Sequence, residues 1–122
     1  MPVVTQPTVH GMHGSLFESF VSPSRGSTEL CAWRTVVGPT QQGTAHRVDR
    51  EEIFLVLGGE PVLYLDGRPE ALQVGAVVFV PADSEVRLDN PGMHEATLWV
   101  TAVAGLQATT VSGQQISPPW AQ

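Results

Sequence analysis

Gly43-Thr44-Ala45-His46-Arg47-Val48-Asp49-Arg50-Glu51-Glu52-Ile53-Phe54-Leu55-Val56-Leu57-Gly58-Gly59 decides how this chain is read. A polar, histidine-bearing stretch passes through a charged run into five apolar residues and stops at a glycine pair. Five apolar residues rich in strand formers and closed by turn residues predict a buried β-strand. Alternation along a strand puts every second side chain on one face. Glu52 therefore shares a face with Phe54 and Val56, while Glu51 points to the other side. Spacing to the glycines does not choose between the two carboxylates, because Glu51 to Gly58 repeats Glu52 to Gly59. Parity favours Glu52 as the inward group.

Working outward, the same punctuation recurs. Strand-forming runs span Glu29–Val37, Val62–Leu65, Ala71–Val74, Ala76–Val80, Glu85–Leu88 and Glu95–Val103. They are separated by Gly38-Pro39, Asp66-Gly67, Gly75, Pro81, Asn90-Pro91-Gly92 and Gly105. Asp-Gly is a strong signal for a tight hairpin. Turn signals at such regular short intervals predict an all-β barrel or sandwich. No long segment keeps the apolar 3.6-residue period of a helix. Gly14–Val21 reads equally as a short helical turn or an irregular strand. The ends differ from the middle: Met1–His13 is polar with two prolines, and Gln114–Gln122 carries Pro118-Pro119. Both read as arms that either cross to a partner or fray.

Composition narrows the function classes. A chain of 122 residues with 42% hydrophobic content has room for one domain and its core. All six basic residues are arginines, which removes lysine Schiff-base chemistry and a phosphate-loop lysine. A net charge of −6 with dispersed arginines argues against nucleic acid and anionic membrane surfaces as partners. Cys31 is the single cysteine, so no disulfide can form within the chain. Without a secretory leader pattern or a long apolar run, the expected location is the cytoplasm. No serine nucleophile elbow, nucleotide glycine loop or paired-cysteine zinc motif occurs.

Two motifs carry a resemblance. The first is His46-Arg47-Val48, then Glu52, then Gly59; the second is Gly75, Pro81, Asp83, Val86 and Asn90, with Asp66-Gly67 between them. In this order and spacing the chain resembles small single-domain cupins, over roughly Glu29–Val103. The resemblance implies an all-β jelly-roll barrel of two packed antiparallel sheets. It implies one domain: an N-terminal arm with the first short elements (1–28), a barrel core (29–105) and a C-terminal strand or tail (106–122). It also implies a homodimer, paired through an edge strand or the N-terminal arm.

The departures fall on the positions that hold a metal in the family. His46 and Glu52 match two ligand positions, but Val48 stands for the second histidine and Val86 for the third. A divalent transition metal usually takes at least three protein ligands. Any such cofactor would rest on His46 and Glu52 and need help from outside the motifs, for which His10 and His13 are candidates. Without metal, His46 and Glu52 are candidate catalytic groups, a pair able to move a proton on a bound molecule. Val48, Val86, Phe54 and Arg34 are candidate pocket residues, Arg34 as a clamp for an anionic group. Three functions fit a small organic metabolite as partner. They are a metal-independent isomerase, epimerase, cyclase or lyase, a non-catalytic binder or sensor, and a metal-dependent cupin with ligands from elsewhere. A purely structural hydrogen bond between His46 and Glu52 is the plain alternative to all three. Tyr64, Phe79 and Trp99 read as core, His94 as exposed in a turn, and Cys31 as a small buried apolar residue.

Overall fold

The structure, a computed structural model describing residues 3–122, is two antiparallel sheets packed face to face. Strands are numbered in chain order. The first sheet runs β1 (Thr8–Met12), β2 (Ser15–Val21), β3 (Leu30–Val37), β10 (Ala96–Val103), β5 (Glu52–Gly58) and β8 (Val77–Val80). The second runs β12 (Gln115–Ile116), β11 (Ala108–Thr110), β4 (His46–Val48), β9 (Glu85–Asp89), β6 (Val62–Leu65) and β7 (Arg68–Ala71). This is the jelly-roll arrangement that the resemblance implies, and it fits the barrel or sandwich expected from the turn spacing.

Alternation builds the core. In β10, Ala96, Leu98, Val100 and Ala102 are buried while Thr97, Trp99, Thr101 and Val103 turn outward. Facing residues across the pairing join them into rows, so Trp33, Val100 and Phe54 lie side by side on the inner wall. Val48, Val86 and Leu63 from the second sheet close the same cluster.

Turn chemistry sets register. Asp66 and Gly67 both take positive φ, at 49° and 80°, and Leu65 pairs directly with Arg68 across them. The return strand therefore starts immediately after the turn, at Arg68–Ala71, and not at the expected Ala71–Val74. Asn90 ties the end of β9 to its surroundings. Its buried amide donates to the carbonyls of Val37, Gly38 and His94 at 3.2, 2.9 and 2.8 Å and accepts from Gly92 N–H at 3.1 Å. Gly43 lies so close to the backbone of Leu88 that any side chain there would strike its carbonyl.

The ends depart from expectation. Gly14–Val21 resolves into strand β2, and β1 pairs with it over five residue pairs, extending the chain's own first sheet. Met1 and Pro2, the start of the expected arm, lie outside the described residues. The C-terminal tail folds back onto the domain. Gly105 N–H donates to Ala121 O at 2.9 Å, Gln122 Nε2 to Leu106 O at 2.9 Å and Ser24 N–H to Gln122 O at 3.1 Å. Trp120 drives this docking. Its ring stacks on Phe17 at 3.8 Å and meets Trp33 edge-on at 6.5 Å.

Candidate functional site

Glu52 opens β5 on the inner face. Register places it in a row that reads Cys31, Ala102, Glu52, Val80 across four strands. Its three companions in that row are buried, and Glu52 itself is 4% exposed. Among the described residues its Oε1 has no hydrogen-bond partner. A carboxylate there would give up its hydration without compensation. Burial therefore raises the Glu52 carboxyl from 4.5 to about 7, which leaves it substantially protonated near neutrality. Cys31 stands one strand beyond Ala102. Burial and, second, the charge of Glu52 push its thiol up to about 11, partly offset by a backbone hydrogen bond at Ala102. A thiol so placed is not a nucleophile at neutral pH.

His46 belongs to the opposite wall. It is the first residue of β4, in the row Thr110, His46, Val86, Leu65, and shares the inward parity of Val48. Val48 and Val86 are buried together in the core, whereas His46, at the strand's end, stays half-exposed. Its Nδ1 lies 2.9 Å from Thr44 O. Beside it opens a shallow cleft of about 330 Å³ lined by His46, Arg47, Glu85, Thr109 and Thr110. Arg47 is anchored there by Asp83 O at 2.7 Å and faces Glu85 at 3.7 Å.

The structure thus brings His46, Val48, Val86, Phe54 and Glu52 to facing walls of one barrel but does not join His46 to Glu52. The histidine's bonded nitrogen is committed to the Thr44 carbonyl, and the carboxyl is left unpaired. Phe54 is core, two residues along from Glu52 on the same face. Arg34 is corrected outright. It pairs with Trp99 and Glu18 on the outer face of the first sheet, its Nε bonded to Glu18 Oε1 at 2.6 Å and its guanidinium over Phe20. Trp33 takes the inward parity instead, because a large indole gains more from burial than a guanidinium does.

The donor set does not suit a resident divalent metal. Val48 and Val86 present methyl groups where ligands would stand, and His10 sits near Trp120, 6.3 Å between ring centroids, not with His46 and Glu52. Among the described residues no three His, Cys, Asp or Glu side chains converge. Two features that the sequence reading did not place lie on or beside the wall of Glu52. Cys31 shares the row of Glu52, and the tail that carries Trp120 docks on the loop after β10, at Gly105 and Leu106. Register across two strand pairs reveals the first, and nothing local in Pro118-Pro119-Trp120 announces the second.

Known proteins add a frame. The Cupin_2 family model, described as "Cupin domain", matches residues 33–103. The endoribonuclease YbeY of Myxococcus xanthus (strain DK1622) is 30% identical over 87 residues, covering 70% of this chain and 30% of that protein. The chain thus spans less than a third of that relative's length. An RmlC-like cupin from Shewanella frigidimarina superposes with a TM-score of 0.70 at 20% identity, covering 80% of this chain and 84% of its own. The polyketide cyclase RemF from Streptomyces resistomycificus superposes at 0.74 with 19% identity, covering 88% and 76%. At such identities the likeness is one of fold. Among the described residues no helix is long and apolar enough to cross a membrane.

Proposed function

Because this chain belongs to the family of cupin domains, we propose that its barrel binds a small organic molecule and that Glu52 is the group that recognises it. The observation that carries this reading is the unpartnered Glu52 carboxyl on the inner wall. A buried polar atom without a partner costs roughly 1–3 kcal/mol. That cost is relieved when a ligand supplies the missing hydrogen bond. Near neutrality the carboxyl can donate to a carbonyl or hydroxyl oxygen, and in its ionised form it can take a proton back. This supports metal-independent chemistry of the isomerase, epimerase, cyclase or lyase type, with His46 contacting the ligand from the facing wall.

A second reading is a binder or sensor without turnover. It is favoured by the absence of a hydrogen bond between His46 and Glu52, which leaves the carboxyl without an oriented relay partner. We place either activity in a reducing compartment, the cytoplasm, in keeping with the free, buried Cys31.

The test is ligand-observed NMR with a panel of neutral polar metabolites at pH 6 and pH 8. Ligands of the site are expected to bind more weakly at pH 8, and Glu52→Gln should abolish that pH dependence. Hits indifferent both to pH and to Glu52→Gln would place binding elsewhere. Product formation from a bound ligand, lost in Glu52→Gln, separates the enzyme from the sensor.

A further inference from the structure

On the inner face of the first sheet, β2 and β3 present four side chains as a patch. Pairing sets Phe17 beside Thr35 and Ser19 beside Trp33. Ser19, Trp33 and Thr35 are buried, and Phe17 is half-buried. Trp120 fills the slot over this patch, carried there by the C-terminal tail. Its ring lies face to face on Phe17, with 4° between the planes, and meets Trp33 edge-on. Half-buried His10 on β1 completes the surround. The Ser19 hydroxyl, on a residue 1% exposed, donates to Trp120 O at 3.1 Å.

The tail is separable from the slot it fills. Pro118 and Pro119 have no N–H to give to a neighbouring strand. The amides of Ala121 and Gln122 bond within the segment, to Pro118 O at 3.0 Å and Pro119 O at 3.4 Å. Its backbone ties to the rest of the domain fall on its own carbonyls: Ser19 Oγ, Gly105 N–H and Ser24 N–H donate to Trp120, Ala121 and Gln122. When the tail leaves, those carbonyls meet water, whereas Phe17, Trp33 and the Ser19 hydroxyl lose their partner.

We propose that this slot binds a planar aromatic molecule carrying a carbonyl group, and that Trp120 is its resident occupant, displaced by the ligand. The proposal rests on the reading that the barrel binds a small organic molecule, and names the class of that molecule. Shape asks for the flat ring, since Phe17 offers a face and Trp33 an edge. Quadrupoles ask for the carbonyl. Indole squarely over phenyl sets one negative face against another, a disfavoured arrangement of an aromatic pair. A ring drained by a conjugated carbonyl stacks there with less repulsion. The carbonyl oxygen also accepts the hydrogen bond that Ser19 otherwise gives to Trp120 O, so no buried donor is orphaned. The slot leads on to the wall of Glu52: Trp33 pairs with Val100 and Val100 with Phe54, two residues from that carboxyl on the same face. The tail lowers the apparent affinity by the fraction of molecules whose slot is open.

The test uses methyl naphthyl ketone, a flat neutral aryl ketone, with naphthalene as the ring without a carbonyl. In the full chain labelled with fluorotryptophan, fluorine NMR reads Trp33, Trp99 and Trp120 separately. The ketone at up to about 0.5 mM, enough to detect a weak ligand, should move the Trp120 resonance toward that of the free amino acid and leave outward Trp99 in place. Trp120→Ala should bind the ketone at least tenfold more tightly than the wild type does. Trp120→Leu takes its place if near-UV circular dichroism shows Trp120→Ala unfolded. Ser19→Ala should weaken the ketone about three- to tenfold and leave naphthalene unchanged. Binding confined to the Trp120 variants would reveal only a hole made by the substitution, and would overturn the proposal. So would ketone bound with Trp120 unmoved, or both probes weakened equally by Ser19→Ala. Glu52→Gln keeps the two readings apart. Displacement of Trp120 that survives this substitution upholds the slot whatever the fate of Glu52 as the recognising group. Ligands that depend on Glu52 but leave Trp120 in place uphold that group and overturn the slot.

Discussion

The wall that carries Glu52 and the wall that carries His46 are built by the same alternation and end in opposite states of solvation. Glu52 lies on β5, flanked by β10 and β8, with buried Ala102 and Val80 as its partners on either side. His46 begins a three-residue strand between β11 and β9 in the other sheet and keeps contact with water. Parity alone assigns both inward. The row around each decides the rest: Cys31, Ala102 and Val80 are buried, so Glu52 becomes an unpaired carboxyl pushed up to about 7, whereas Thr110 and Leu65 are half-exposed and His46 remains a half-exposed ring held by a backbone carbonyl.

The largest perturbation of this contrast is on the Glu52 wall. Trp120 is 9% exposed, stacked on Phe17 and edge-on to Trp33, so Trp120→Ala should cost about 3–5 kcal/mol in urea unfolding. A loss under about 1 kcal/mol would mean that the tail is an attachment and not part of the wall.

Next comes the carboxyl itself. Its folded value of about 7 lies above the unfolded 4.5, so the folded state holds a proton that the unfolded chain releases. Glu52's contribution is therefore most favourable below pH 4.5, declines as pH rises from 4.5 to 7, and is flat above. The total decline is roughly 3 kcal/mol. Glu52→Gln cannot ionise and should remove this slope, making it more stable than wild type at pH 8 by up to that amount. Unfolding curves at pH 5, 6, 7 and 8 check the sign; parallel pH profiles for the two proteins would show that the carboxylate is compensated after all.

The smallest effect belongs to the other wall. His46→Ala removes a half-exposed ring with one local hydrogen bond, and should change stability by no more than about 0.5 kcal/mol. A larger loss would mean that His46 is buried in solution and that the contrast between the walls is weaker than the geometry gives.

The fold was legible because its signals are local. Asp66-Gly67 demands a tight turn, Ile53–Leu57 is an apolar run of strand length, and the two motifs keep their glycine, proline and asparagine spacing. Glu52 as the inward carboxylate follows from its parity with Phe54 and Val56, and the burial pattern of β5 agrees. The site was less legible. Arg34 and Trp33 compete for one inward position, and only the pairing with Glu18 and Trp99 shows which lost. Nor does spacing announce that His46 turns to Thr44 O while Glu52 stays unpaired, because that depends on where a short strand ends.

By itself, the sequence determined strand alternation and turn positions. These are properties of residues and their immediate neighbours. Only the tertiary structure decided that Cys31 lies beside Ala102 in the row of Glu52, that Trp120 returns from the far end of the chain to stack on Phe17, and that the outward faces of the two sheets are apolar and charged respectively. Those juxtapositions join residues dozens of positions apart. They are set by sheet order and register, which arise from burial of the whole core and not from any one segment.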